Sequence, residues 1–260
     1  MSEKDILLKE WERIDDLQYK GLRIIQDTRG FCFGIDAVLL VNFADIKKGN
    51  KVIDLGTGTG VIPILIAGKT DASQIIGIEI QTDMAEMAQR SIVLNNLEKR
   101  VQIVEGDLRN CVDVFGAGIC DIVVSNPPYM NQGGGLINPY DAKAISRHEI
   151  QCTLEDVVSV GSKLLKNGGK FNMVHRPERL VDIIWLMRNY RLEPKRLRFV
   201  HPSIGKRANL ILIEGLKNGK PQLKMMKPLY VYGDNGKYTD EINKIYGRDE
   251  KNAECGLQIK

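Results

Sequence analysis

Long apolar runs are missing from this chain of 260 residues: none approaches the ~18–20 consecutive apolar positions that a membrane-spanning helix needs. The opening stretch from Met1 to Glu12 is polar and lacks the apolar centre of a secretion signal, so a cytoplasmic location is the expectation. Cysteine is sparse. Cys32, Cys111, Cys120, Cys152 and Cys255 are odd in number and dispersed, with no C-x-x-C pair, so reduced thiols are expected and a disulfide framework is excluded. Histidine is rarer still: His148, His175 and His201 stand far apart, without the ligand spacing of a zinc site, and no metal is expected. Internal repeats and low-complexity tracts are also absent, which excludes a solenoid. What is present is an ordinary globular composition, 43% hydrophobic, enough to bury one full core.

Acidic residues are scarce in one segment in particular. Between Arg188 and Lys227, eleven Lys and Arg face only Glu193 and Glu214, a local surplus of +9 in a chain whose net charge is +4. A basic segment on a near-neutral body points to a polyanionic partner, with nucleic acid favoured over a merely solvated surface. Lys195, Arg196, Arg198, Lys206 and Arg207 flank the strand ends predicted there and are the candidate phosphate contacts.

From Lys51 onward, short apolar runs alternate with helical periodicity. Lys51–Leu55, Ile75–Ile80, Val101–Val104, Ile119–Val124, Lys170–Val174, Arg196–Val200 and Leu210–Glu214 read as strands. Helices are predicted from Val61 to Gly68, with Pro63 tolerated in the first turn, and from an Asp83/Glu86 capping box to about Asn95. A third opens at Thr153 and closes at Asn167-Gly168-Gly169, and a fourth follows Pro177 with Leu180, Ile183, Ile184 and Met187 facing inward. Ahead of this, Leu22–Gln26 and Phe31–Phe33 predict a hairpin around Asp27-Thr28-Arg29-Gly30, followed by a helix from Asp36 to Phe43. The alternation specifies an α/β fold, a doubly wound and mostly parallel seven-stranded sheet.

After the first strand comes Asp54-Leu55-Gly56-Thr57-Gly58-Thr59-Gly60, a glycine turn entering a helix, where backbone N–H groups can face a ligand that no side chain obstructs. Its spacing is G-x-G-x-G. The dinucleotide fingerprint needs glycine at the position held by Val61, so NAD is disfavoured, and no G-K-[ST] follows, which excludes a P-loop. The segment resembles motif I of the class I S-adenosylmethionine-dependent methyltransferases, whose fold is Rossmann-like. The resemblance implies S-adenosyl-L-methionine as cofactor, with Asp54, Gly56, Thr57, Gly58 and Gly60 lining it. It further implies that Glu79, in Gly77-Ile78-Glu79-Ile80, holds the ribose hydroxyls. A carboxylate suits that place because it accepts from two vicinal hydroxyls at once. Asp107, with Leu108 beside it in Glu105-Gly106-Asp107-Leu108, would accept from the adenine amino group.

Ser125-Asn126-Pro127-Pro128-Tyr129 falls at the carboxyl end of the fourth strand, where open α/β sheets place their ligands. Two prolines stiffen the backbone and remove two donors, leaving the Asn126 side-chain oxygen, the Pro127 carbonyl and the Tyr129 ring as an acceptor-rich corner for a planar group bearing NH2. Asn126-Pro127-Pro128-Tyr129 is similar to the motif of the amino methyltransferases, which act on an exocyclic adenine nitrogen or a glutamine amide. Those nitrogens are poor nucleophiles, and two acceptors would turn the lone pair towards the methyl group with no strong base. Two substrate classes therefore compete: adenine N6 in nucleic acid and glutamine N5 in a release factor. A non-catalytic RNA-binding module on the same fold is a third reading, against which the intact Asn126, Tyr129 and Glu79 speak.

The flanks favour RNA. Phe31-Cys32-Phe33-Gly34-Ile35-Asp36-Ala37-Val38-Leu39-Leu40 and Arg147-His148-Glu149 resemble segments of the bacterial valine-tRNA adenine-N6 methyltransferases, which act beside the anticodon. That resemblance implies a tRNA partner and sets Phe33 and Asp36 near the methionine end of the cofactor. The domain expectation is an N-terminal extension over 1–46, built of helix, hairpin and helix and covering the cofactor cleft, a methyltransferase domain over 47–232, and a C-terminal tail over 233–260. The polar, glycine-rich stretch 130–149 is expected to be a flap over a flipped base. Oligomeric state is left open.

Overall fold

The computed structural model describes residues 8–30, 33–128 and 152–248. Its frame is a three-layer sandwich around a nine-stranded sheet. The strands in chain order are β3 (Lys51–Leu55), β4 (Gln74–Glu79), β5 (Val101–Glu105), β6 (Cys120–Ser125), β7 (Leu165–His175), β8 (Leu192–His201), β9 (Leu210–Lys217), β10 (Lys224–Met225) and β11 (Leu229–Tyr230). Across the sheet the order is β5-β4-β3-β6-β7-β9-β8, with β10 and β11 on the outer edge of β8. The seven predicted strands are all there, and two two-residue strands are added. Only β9 runs antiparallel to its neighbours. The other strands therefore share one carboxyl edge, and on it the order reverses between β3 and β6, the switch point at which such sheets bind ligands.

One face is covered by α1 (Ile35–Phe43), α2 (Val61–Lys69), α3 (Thr82–Leu94) and α7 (Asp240–Ile245). The other is covered by α4 (Cys111–Phe115), α5 (Leu154–Leu164) and α6 (Leu180–Asn189). α1 and α2 are apolar nearly all round, which their position between sheet and further elements requires. α3 is amphipathic instead, burying Ala85, Met87, Ala88 and Ile92 on one side.

Several local expectations are corrected. β2 (Arg23–Asp27) pairs upstream with β1 (Glu12–Asp16), a pairing the sequence did not predict; Phe31 and Cys32 of the expected downstream strand lie outside the described residues. β1 is polar, and Glu12 is buried only because Arg90 meets it with two short bonds, Nη1–Oε2 at 2.7 Å and Nη2–Oε1 at 2.6 Å. The hairpin docks on α3, where Ser91 Oγ accepts from the Ile25 N–H at 3.0 Å. Glu86 takes no part in a cap; its carboxylate pairs with Arg90 and Lys9, and Gln81 is the N-cap of α3 without a side-chain bond. The capping box is real at Thr153, with Asp156. The following helix ends at Leu164, since Leu165 already enters β7, and Gly168 takes its left-handed conformation inside that strand. Residues 233–248, read as part of a tail, instead fold back: Ile242, Ile245 and Tyr246 are buried in the core with α1 and α2.

Candidate active site

At the switch point, β3 runs out into the glycine turn. Gly56, Gly58 and Gly60 have φ of 78°, 57° and 88°, the left-handed region, and a Cβ built on Gly56 or Gly58 would meet nothing within 4 Å. The turn is therefore left-handed and open on its outer side, as close approach of a ligand demands. Its inner side is tied to β4: the N–H groups of Gly56 and Thr57 donate to the Ile78 carbonyl at 3.0 and 2.9 Å, and that of Gly58 donates to Glu79 Oε2 at 2.8 Å. Glu79 Oε1 accepts from the Gln81 N–H at 3.0 Å. Glu79, 1% exposed, thus anchors the turn, a role its predicted ribose contact does not include.

Gly77 makes the anchoring possible and was not singled out by the sequence. A Cβ there would stand 2.8 Å from Thr57 Oγ1 and 2.9 Å from Ile103 Cδ1. The only sequence signal was a glycine inside an otherwise β-branched strand, a place that marks close approach.

Asp54 lies on the sheet beneath the turn, 0% exposed, and neither carboxylate oxygen has a hydrogen-bond partner. Burial pushes its carboxyl up to about 7; the adjacent Thr57 hydroxyl acts against the rise, and the Glu79 carboxylate adds to it. Thr57 Oγ1 is likewise buried, with only the Asp54 carboxyl beside it and no hydrogen bond of full geometry. Buried polar atoms are rarely left so, and their grouping beside an open glycine turn fits a ligand rich in donors and positive charge.

Asp107 follows β5. Its Oδ1 accepts from the Arg109 N–H at 2.9 Å, capping the short turn Leu108–Asn110, and the Arg109 guanidinium pairs with Oδ2 at 2.5 Å, holding the carboxyl below the usual range. Leu108 is buried beneath it. Asp54, Glu79 and Asp107 thus set three carboxylates along the carboxyl edge of β3, β4 and β5. Asn126 and Pro127 leave β6 on the same edge, and the bond from Ser125 Oγ to the Leu55 carbonyl, 2.9 Å, ties that corner to the root of the glycine turn. Phe33 packs on the core, and Asp36 sits in the first turn of α1, whose N-cap is Gly34. Tyr129, Arg147, His148, Glu149 and the stretch 130–149 lie outside the described residues.

The basic candidates divide. Arg196 and Arg198 lie inside β8, not at strand ends, and are engaged within the protein. Arg196 meets Glu214 through Nε–Oε1 at 2.9 Å and Nη2–Oε2 at 2.6 Å and stacks over Phe43; Arg198 pairs with Glu241 at 2.7 Å. Lys195, towards the amino end of β8, donates to the Lys220 carbonyl at 3.1 Å. Lys206 and Arg207 are exposed on the loop leaving the carboxyl end of β8, the same edge as Asn126. Among the described residues there is no group of three or more His, Cys, Asp and Glu that could hold a metal, and no helix long and apolar enough to cross a membrane.

Residues 34–182 match the family described as methyltransferase small domain, more than half of the chain. A protein of Tolumonas auensis named tRNA1(Val) (adenine(37)-N6)-methyltransferase is 27% identical over 86% of this chain and 92% of its own. A Porphyromonas gingivalis protein of the same name is 29% identical over 77% and 80%. Among solved structures, one described as a predicted O-methyltransferase from Agrobacterium tumefaciens superposes with a TM-score of 0.67 at 23% identity, covering 82% of this chain and 96% of its own.

Proposed function

Since the chain belongs to the methyltransferase small domain family, with S-adenosyl-L-methionine as its methyl donor, we infer that it methylates the exocyclic N6 of an adenine in RNA, with a tRNA near the anticodon as the substrate. The observation that carries this reading is the position of Asn126 and Pro127 on the carboxyl edge, joined through Ser125 to the glycine turn. The relatives' names support adenine N6 over a glutamine amide, and the exposed Lys206 and Arg207 on that edge support a polyanion.

When bound, S-adenosyl-L-methionine supplies a methyl group on a cationic sulfur. The protein's part is binding and orientation. Asp54 and Glu79 offer carboxylates to the ribose and the cationic end, and Asp107 offers one to the adenine amine once Arg109 swings aside. The Asn126 side-chain oxygen and the Pro127 carbonyl accept the two N–H bonds of the substrate amine, turning its lone pair out of conjugation and stabilising the positive charge that develops on nitrogen. Tyr129 stacks on the base, which must leave its own stack to arrive. Lys206 and Arg207 take backbone phosphates and so offset the unstacking cost.

The test is methylation of an unmodified valine tRNA transcript with labelled S-adenosylmethionine, followed by nucleoside mass spectrometry. N6-methyladenosine in the digest is the expected product. Label incorporated into a release-factor glutamine and into no RNA would refute the reading.

A further inference from the structure

A second site opens on the carboxyl edge, away from the reaction corner. The loop leaving β8 and the tight hairpin after β11 enclose an open cavity of about 800 Å³ lined by Ser203, Lys206, Arg207, Tyr232, Gly233 and Asp234, with Pro202 and Gly236 at its margin. One wall is the exposed end of an aromatic column. Tyr232 stacks on Tyr238 with centroids 5.2 Å apart and planes at 18°, and Tyr238 stacks on Tyr246 at 5.8 Å and 12°. Arg248 lies against both inner rings, 4.8 Å from the Tyr246 centre and 5.6 Å from that of Tyr238. The column is held from below. Tyr246 is buried in the core, Gly233 donates to the Lys237 carbonyl at 2.9 Å, and Thr239 caps α7. Tyr232 alone is 42% exposed, and it faces the cavity.

We propose that this cavity is a base-stacking subsite for a nucleotide flanking the target adenine, the base lying on Tyr232 as the next member of the column and its phosphate reaching Lys206 and Arg207. The inference rests on the RNA reading above and adds to it a location and a residue. Three features select nucleic acid. A flat aromatic face at the mouth of a rigid stack offers a base the same partner that Tyr238 offers Tyr232. Two cations, Lys206 and Arg207, line the same cavity and suit a sugar-phosphate chain. Asp234 adds an acceptor for a base amine. The distance also fits. β11 and β6 are four strand spacings apart, so Tyr232 lies roughly 19 Å along the edge from Asn126, the reach of a few nucleotides of single strand.

Steady-state methylation of an unmodified valine tRNA transcript by the full chain decides the matter, with calorimetry of S-adenosylmethionine alongside. Tyr232→Ala should raise the RNA KM about 5- to 150-fold, the range for loss of one stacked base, with cofactor affinity unchanged. Because the lost contact is uncharged, the slope of log affinity against log salt should stay at its wild-type value, whereas a displaced phosphate contact would flatten it. Tyr232→Phe should behave as wild type. If Tyr232→Ala unfolds, Tyr232→Leu keeps apolar packing on Tyr238 without the flat face and should show the same rise in KM. A wild-type KM in Tyr232→Ala or Tyr232→Leu, in a preparation whose wild type methylates the transcript, overturns the subsite and leaves the RNA reading standing. A wild type that neither binds nor methylates the transcript overturns both.

Discussion

If Asp54 faces the cofactor as proposed, its buried carboxyl makes cofactor binding a proton-coupled event. In the free protein burial pushes its pKa up to about 7. A cationic ligand with hydrogen-bond donors would favour the ionised form, so binding must displace the proton wherever Asp54 still carries one. At pH 6 about one-tenth of the free protein is ionised at this site and at pH 8 about nine-tenths, so affinity for S-adenosylmethionine should rise roughly tenfold between them, ~1.4 kcal/mol, and flatten above. Titration calorimetry at pH 6 in two buffers of different ionisation enthalpy, phosphate and Tris, should register release of about 0.9 proton per cofactor, falling to about 0.5 at pH 7. Asp54→Asn keeps the shape and removes the titration, so its proton release should vanish and its affinity should not change with pH. The sign for stability runs the other way. A carboxyl whose folded pKa lies above its ordinary 3.8 contributes stability below that value and loses it as pH rises towards 7. The ligand-free Asp54→Asn protein should therefore be more stable than wild type at pH 8, by something on the order of 2–4 kcal/mol. Proton release at pH 6 that is zero, or equal in Asp54→Asn, would refute the coupling.

Five further perturbations have expected outcomes. Gly77→Ala drives a methyl group against Thr57 and Ile103 and should cost ~1–3 kcal/mol in chemical denaturation while weakening cofactor binding through the displaced turn. Glu79→Ala removes the anchor of Gly58 together with the predicted ribose acceptor, and calorimetry should give a 10- to 100-fold weaker cofactor complex, at ~1.5–3 kcal/mol per charge-assisted bond. Asn126→Ala should abolish methyl transfer with cofactor affinity nearly intact, because its oxygen acts on the oriented amine; turnover at the wild-type rate would dispose of the acceptor corner. Neutralising Lys206 and Arg207 together should lower the salt slope of RNA binding by about 1.4 without loss of stability, whereas Arg196→Met leaves the buried Glu214 with only Lys170, at 3.9 Å, and should cost ~3 kcal/mol in denaturation.

The contrast between Lys206 and Arg196 shows where the sequence ceases to be informative. Parallel strands buried on both faces are written as apolar runs, so Ile75 to Ile78 and Ile122 to Val124 were legible, and with them the edge that carries Gly56, Glu79 and Asn126. A charge is different, because its role depends on what stands opposite. Arg196 and Glu214 face each other through the antiparallel register of β8 and β9, eighteen residues apart in the chain, and no local pattern announces that pairing. β1 was missed for a similar reason: its buried Glu12 is acceptable only beside Arg90, on a helix far along the chain. The column Tyr232, Tyr238 and Tyr246 has no fixed period either, since a hairpin and a helix bring it together.

α7 gives the molecule a late keystone. Ile242, Ile245 and Tyr246 close the same apolar cluster as Leu39 of α1 and Leu65 of α2, which leave the ribosome roughly two hundred residues earlier. During synthesis those first helices must wait, with their outer faces wet, until the last of the cluster emerges. A chain stalled before Asp240 would leave that cluster open on the side that Ile242, Ile245 and Tyr246 cover.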